Sequence, residues 1–142
     1  MIRLTIRTVE YKENKEITLS ELEAYTKEIV PNLEQRYEEV SFIYEEQGAI
    51  LGRIVGFIHW DHLQIELFYV AKNTQGMGIG TKLLNHVESI ALKNGLDYIL
   101  LETMSFNAPK FYEKNGYEFI AKIKDSPMEG ENRYFLKKQL LF

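Results

Sequence analysis

The sequence predicts an α+β fold: a mixed, mostly antiparallel sheet flanked by helices, in one domain spanning residues 1–142. Three observations carry that expectation. Residues 41–71 hold three runs rich in Ile, Val and aromatics, separated by tight turns, which is the pattern of an antiparallel meander. A glycine-rich loop, an amphipathic helical stretch and an apolar run follow, and the strands of such a unit are usually parallel. Two further strand-like runs close the chain.

Composition sets the outer bounds. The chain has 142 residues, 45% apolar and 27% charged, with aromatics at 13%. That is ordinary for a globular domain able to bury a core, and too aromatic for a disordered tail or a coiled coil. Cysteine is absent, which excludes a disulfide scaffold, a thiolate nucleophile and a cysteine zinc site. No apolar run approaches the ~20 residues of a membrane helix. Residues 1–7 alternate polar and apolar, unlike a signal peptide, so a cytoplasmic protein with no membrane partner is expected. The net charge of −4 argues against nucleic acid as a partner, which calls for a basic face. Between Glu10 and Gln47 stand eleven acids and four bases, a local balance of −7. Solvated helix faces account for such a run, and so does an acidic rim that attracts a cationic substrate.

Each element has its own signal. Ile2, Leu4 and Ile6 alternate with polar residues and predict a half-buried strand. Thr18 with Glu21 three residues on predicts a capping box. Leu19, Leu22, Thr26, Ile29 and Val30 continue that helix until Pro31 stops it, and a second short helix is expected over Asn32 to Val40. Ser41 to Tyr44 and Ala49 to Trp60 read as strands around a Gln47-Gly48 turn. Gly52 and Gly56 inside the longer run mark a bulge or a close backbone approach. Asp61-His62 predicts a turn into a third strand, Gln64 to Ala71. Ile79, Leu83, Leu84, Val87, Ile90 and Ala91 line one helical face, which Asn94-Gly95 ends. Tyr98 to Leu101 is an apolar strand. Ala108-Pro109 opens a short helix, since Pro suits a first turn, and the last strands cover Tyr117 to Ala121 and Tyr134 to Leu136.

The glycine loop is the first chemical signal. Gly76, Gly78 and Gly80 stand between an apolar strand and a helix, where bare backbone amides and the helix N-terminus together suit a phosphate. The spacing fails the Walker pattern, because Lys82 follows Gly80 by two residues. It also fails the dinucleotide fingerprint, because it reads G-x-G-x-G. Gln75-Gly76-Met77-Gly78-Ile79-Gly80 instead resembles the Q/R-x-x-G-x-G/A loop of the GNAT superfamily of N-acetyltransferases. Ile65 to Val70 resembles that family's fourth strand, and Phe111-Tyr112-Glu113-Lys114-Asn115-Gly116-Tyr117 its F-Y-E-K-x-G-F/Y signature. The resemblance runs in order from about Ser41 to the C-terminus. It departs in one place: Ser105 stands where many members carry Asn, and Asn107 lies five residues before Tyr112.

The resemblance implies a GNAT (acyl-CoA N-acyltransferase) fold and acetyl transfer from acetyl-CoA to a primary amine of a small molecule or peptide. The attack is direct, with no metal. It places the pyrophosphate on the amides of Gln75, Gly76, Met77, Gly78, Ile79, Gly80 and Thr81, and the pantetheine arm along Phe68, Tyr69 and Val70. The Val70 amide would polarise the thioester carbonyl, and Asn107 is counted with the cofactor residues. Tyr112 is the candidate general acid, since a phenol near pKa ~10 can protonate a departing thiolate. Glu66 is the candidate base, on the reasoning that Gln64, Glu66, Phe68 and Val70 share one face of a strand. Glu102, at the end of the next strand, stands in reserve.

Other residues read as structural. His59 and His62 flank a turn with no third ligand in view, which is poor metal geometry, and His86 falls opposite most of the apolar stripe. Phe42, Tyr44, Phe57 and Trp60 read as core. Two other functions compete: a non-catalytic acyl-CoA-binding or sensor module, and a nucleotide-binding domain. The presence of both Glu66 and Tyr112 favours the enzyme. The resemblance also implies a homodimer, and it puts the helices of the acidic region over the acceptor side of the cleft, which favours a cationic acceptor.

Overall fold

A computed structural model describes residues 4–74 and 76–140. The chain divides into two compact units, Met1–Gln35 and Arg36–Phe142.

The first unit is built around one helix, α1 (Tyr11–Ile29). It starts seven residues before the predicted capping box. The Glu10 carboxylate caps it, accepting from the amides of Lys12 and of Glu13, the latter at 3.2 Å. Nothing between Glu10 and Thr18 breaks a helix, and acids in a first turn suit its dipole, so the earlier cap wins. Val30 caps the other end through its amide to the Thr26 carbonyl, 2.7 Å, and Pro31 bars continuation. The strand predicted over residues 2–7 does not form: Leu4 to Arg7 are irregular and Ile6 is fully exposed, while Ile2 lies outside the described residues. Alternation makes a strand only where a neighbour takes up its backbone hydrogen bonds.

The second unit is a six-stranded sheet with two helices. In chain order it runs β1 (Tyr37–Glu46), β2 (Ala49–His59), β3 (His62–Val70), α2 (Ile79–Lys93), β4 (Tyr98–Met104), α3 (Pro109–Lys114), β5 (Glu118–Lys124) and β6 (Asn132–Gln139). The sheet order is β1-β2-β3-β4-β6-β5, and only β3 and β4 run parallel. The mixed, mostly antiparallel sheet is as expected. The helix expected over Asn32 to Val40 is replaced by β1, which starts at Tyr37: Val40, Phe42 and Tyr44 turn inward with period two. Gln47 and Gly48 both take positive φ, 49° and 82°, as a two-residue hairpin requires.

α2 lies on the sheet through Ile79, Leu83, Leu84, Val87 and Ala91, against Ile54, Ile58, Leu63, Ile65, Ile99, Leu101 and Leu136. Each fully buried Leu, Ile or Val contributes about 1.5–3 kcal/mol. The approach is close. A Cβ on Gly52 would come within 2.8 Å of the Leu83 side chain and 3.2 Å of Ile79, so glycine in β2 is what lets α2 settle.

Candidate active site

The site begins with a fault in β3. Val55 pairs with Leu67 but Gly56 pairs with Ile65, so Glu66 is the extra residue of a β-bulge. Gly56 makes the bulge possible, since a Cβ there would sit 2.2 Å from the Gln64 carbonyl oxygen. The sequence signal was the glycine inside the strand. The bulge also changes which side chains share a face. Leu63 and Ile65 are buried before it, and Phe68 and Val70 turn to the same side after it, so Glu66 does not share the face of Phe68 and Val70 as strict alternation predicted.

Beyond the bulge the sheet opens. β3 pairs with β4 only over His62–Ile65 and Tyr98–Leu101. Past that point β3 stays with β2 through Leu67, Phe68, Tyr69 and Val70, while β4 stays with β6 through Glu102, Thr103 and Met104. A wedge with an unpaired backbone edge along Phe68–Val70 results, a place where an extended ligand can add to the sheet.

The glycine loop stands at the mouth of this wedge. Gly76 and Gly78 take φ of 90° and 77°, and Gly78 is the N-cap of α2. The first intrahelical bond runs from the Lys82 amide to the Gly78 carbonyl, 3.0 Å, so the amides of Ile79, Gly80 and Thr81 precede the helix's own acceptors. Gly80 is bare for a different reason: a Cβ there would meet the Phe111 ring at 3.2 Å and Val70 at 3.4 Å. Met77 is exposed, and its amide donates to Thr74, 3.2 Å, in the single 3₁₀ turn Lys72–Thr74. Ile79 is buried and Thr81 half-buried, and Gln75 lies outside the described residues. First-turn amides with no acceptor in the helix, positive φ at two glycines and a close approach at Gly80 together suit a phosphate-bearing ligand.

α3 brings in the tyrosine. Ala108 turns the chain at φ 47° and Pro109 opens the helix. The Tyr112 ring meets Phe68 edge-on, 6.3 Å between centroids, and touches Phe111 at 5.2 Å and Tyr117 at 6.0 Å. Burial pushes its phenol up to about 12, so its proton is held throughout the neutral range. Phe68, Val70, Gly80 and Tyr112 are thus brought together around Phe111.

The carboxylates differ. Glu66 is exposed on its bulge, and among the described residues no hydrogen bond or ion pair holds it. Its charge reaches Tyr37, whose phenol is pushed up by desolvation, with Glu39 and Glu66 adding to it. Glu102 is taken by Arg133 in an ion pair, and its hold keeps that guanidinium above its ordinary range. Ser105 is also committed: its hydroxyl donates to Glu131 and accepts from the Asn132 amide at 2.8 Å, closing the end of β4 onto β6. Asn107 is exposed, and its backbone carbonyl accepts from the Thr103 hydroxyl, 3.0 Å. Tyr69 is exposed beside the wedge. His59 stacks on Trp60 at 3.9 Å and His62 on Tyr98 at 4.9 Å, and no group of three metal-ligating side chains occurs among the described residues. A separate open recess of about 560 Å³ lies past α3, lined by Lys110, Glu113, Phe119 and Tyr134, and neither Glu66 nor Tyr112 reaches it.

The comparisons decide the family. Residues 7–117 match the family described as "Acetyltransferase (GNAT) family". The chain is a member of that family. Among curated relatives, it is 34% identical over 113 residues to the blasticidin-S acetyltransferase of Streptomyces morookaense, covering 78% of this chain and 82% of the relative. Among solved structures, an acetyltransferase from Bacillus cereus is 30% identical with a TM-score of 0.85, covering 96% of this chain and 98% of the other. An aminoglycoside 6'-N-acetyltransferase complexed with coenzyme A shares the fold, with a TM-score of 0.66 at 16% identity over 94% of this chain and 97% of its own. The GNAT fold, with a bulged strand, a splayed neighbour and a glycine loop, is therefore the frame of the site.

Sequence reasoning missed one polar residue on the buried side. Glu88 lies on the apolar stripe of α2, four residues after Leu84 and three before Ala91, yet is only 8% exposed. An acid on that stripe was the available signal.

Proposed function

We propose that this GNAT chain transfers an acetyl group from acetyl-CoA to a primary amine of a small molecule or peptide, by direct attack. The observation that carries it is Tyr112, protonated and set against Phe68 at the wedge that the Glu66 bulge opens. Acetyl-CoA would supply the activated acyl group and, on leaving, a thiolate. The loop from Gln75 to Thr81 holds the pyrophosphate, through amides other than that of Met77, which Thr74 takes, and the free edge of Phe68, Tyr69 and Val70 takes the arm as an added strand. The Val70 amide stabilises charge on the acyl oxygen, an interaction whose removal typically costs about 3 kcal/mol in rate. Glu66, exposed and unpaired, accepts the proton of the incoming ammonium, and Tyr112 holds the proton for the sulfur. Glu102 is engaged by Arg133, which leaves Glu66 the better placed of the two to meet an incoming amine. With no cysteine in the chain, direct attack is favoured over a thioester on the enzyme.

The test is turnover with acetyl-CoA across polyamines, aminoglycosides, amino acids and peptides, followed by thiol release. Acetylation of at least one amine, dependent on Tyr112, is expected. Tight binding of CoA with no turnover on any of them would make the chain a binding module instead.

A further inference from the structure

Glu88 is the centre of a network that the chemistry above does not use. Its carboxylate, on α2, accepts from the Tyr117 hydroxyl at 3.2 Å and from Nζ of Lys138, on β6, at 3.0 Å. The same Nζ donates to the Asn115 carbonyl at 2.8 Å and lies 5.7 Å from the centre of the Tyr117 ring. Asn115 and Tyr117 in turn govern Tyr112. Both their amides donate to the Tyr112 carbonyl, each at 3.0 Å, and the Asn115 side chain donates to the Phe111 carbonyl at 2.8 Å. The Tyr117 ring stands against the Tyr112 ring, opposite in sequence to Phe68. One lysine and one glutamate therefore fix the two residues that cap α3 and flank its tyrosine.

The polar choice is informative. An acid on the stripe of Leu84, Val87 and Ala91 costs desolvation that an apolar residue would avoid, and a buried ion pair is weak evidence of stability. What such a pair does supply, when its members are all satisfied, is a fixed geometry. Here the geometry joins three elements: α2, which starts at the glycine loop, β6, and the end of α3. α3 has only six residues, too short to hold its own ring direction.

We propose that Glu88, Lys138 and Tyr117 are positioning residues for the Tyr112 hydroxyl, locking the acid-bearing helix to the cofactor-bearing one. The proposal rests on the reading of Tyr112 as general acid. It acts on kcat through Tyr112 and leaves the loop that holds the cofactor intact.

A double-mutant cycle tests it. Lys138→Met and Tyr117→Phe are each made in the wild-type and in the Tyr112→Phe background, and kcat and KM for acetyl-CoA are measured with an amine that the wild type acetylates. In the wild type, Lys138→Met should lower kcat about 10- to 100-fold, the scale of a misplaced catalytic group, with KM for acetyl-CoA within about twofold. Lys138→Arg should restore most of kcat. In the Tyr112→Phe background, Lys138→Met should cost nothing further. Tyr117→Phe removes one hydroxyl and keeps the ring, so it preserves the fold if Lys138→Met does not, and it should show the same pattern at smaller size. An equal loss in both backgrounds would overturn the proposal and make the network structural. Unchanged kcat in Lys138→Met, with Tyr112→Phe impaired, would also overturn it while sparing the general-acid reading. Full kcat in Tyr112→Phe alone would remove both.

Discussion

Tyr112 shows how much one position carries. Its ring is half-buried among Phe68, Phe111 and Tyr117, and the lost hydration pushes its phenol up to about 12. A group that keeps its proton at pH 7 can give it to a thiolate, so Tyr112→Phe should lower kcat by roughly 10²–10⁴ while acetyl-CoA affinity, read by calorimetry, stays. A stability effect follows with a definite sign. Unfolded, the phenol titrates near ~10; folded, near 12, so between those values the folded state holds the extra proton. That stability is complete below about pH 10 and is lost as pH rises toward 12, by up to about 3 kcal/mol. Tyr117 is raised further still, by burial and by the Glu88 carboxylate. The denaturant midpoint of wild type should therefore fall relative to that of Tyr112→Phe as pH climbs from 9 to 12; parallel curves would contradict the enclosure. Glu66→Gln should cut kcat/KM by about 10²–10⁴ and leave acetyl-CoA affinity alone, and an unaffected rate would hand the proton to water. Tyr112 was legible because its motif is local in sequence. The direction of Glu66 was not, because it depends on a bulge whose cause, Gly56, lies ten residues away on another strand.

At the scale of elements, the wedge depends on two backbone features. Gly56 admits the bulge, and a Cβ there would sit 2.2 Å from backbone that cannot swing aside. Gly56→Ala should therefore destabilise by about 3 kcal/mol, near the top of the ordinary range for single substitutions, and weaken acetyl-CoA binding in whatever remains folded. Thermal melts with and without acetyl-CoA check both. Gly78 is different: nothing lies within 4 Å of its Cβ direction, but its φ is 77° and it caps α2. Gly78→Asp should fold, with some strain, and lose acetyl-CoA binding through the carboxylate it places among amides meant for phosphate. Unchanged affinity in calorimetry would take the pyrophosphate away from this loop. The loop and α2 were legible because glycine spacing and a 3.6-residue period are both local. The start of α1 and the first residues of β1, before Ser41, were not. Glu10 is an unusual cap, and residues 37–40 turn into a strand only because β2 offers them partners, Gly56 to His59.

The molecule as a whole is acidic, and the distribution bears on its substrate. Of the −7 balance between Glu10 and Gln47, residues 10–35 contribute seven acids against three bases, and residues 36–47 four acids against Arg36. Each compact unit is acidic by itself: residues 1–35 hold seven acids against five bases, and residues 36–142 fourteen against twelve. In the second unit Glu39, Glu45 and Glu46 are exposed on β1, and the Tyr37 phenol, pushed up first by desolvation, is raised further by Glu39 and Glu66, so charge from β1 and from the bulge acts on one ring. A surface of one sign raises the local concentration of opposite charge and speeds its arrival, by ten- to a thousandfold at low ionic strength. A cationic amine should thus be a better acceptor than a neutral one of similar size, chiefly through kcat/KM and little through kcat. Salt separates this from a shape preference. The screening length falls from ~10 Å at 0.1 M to about 3 Å at 1 M, so steering fades while fit survives. Matched mono-, di- and polyamines, with amino acids of no net charge, should show kcat/KM falling with salt more steeply as charge increases. If neutral or anionic amines are preferred at low salt, or if every acceptor responds to salt alike, the acidic residues only keep the protein soluble and the acceptor is chosen by the shape of the cleft.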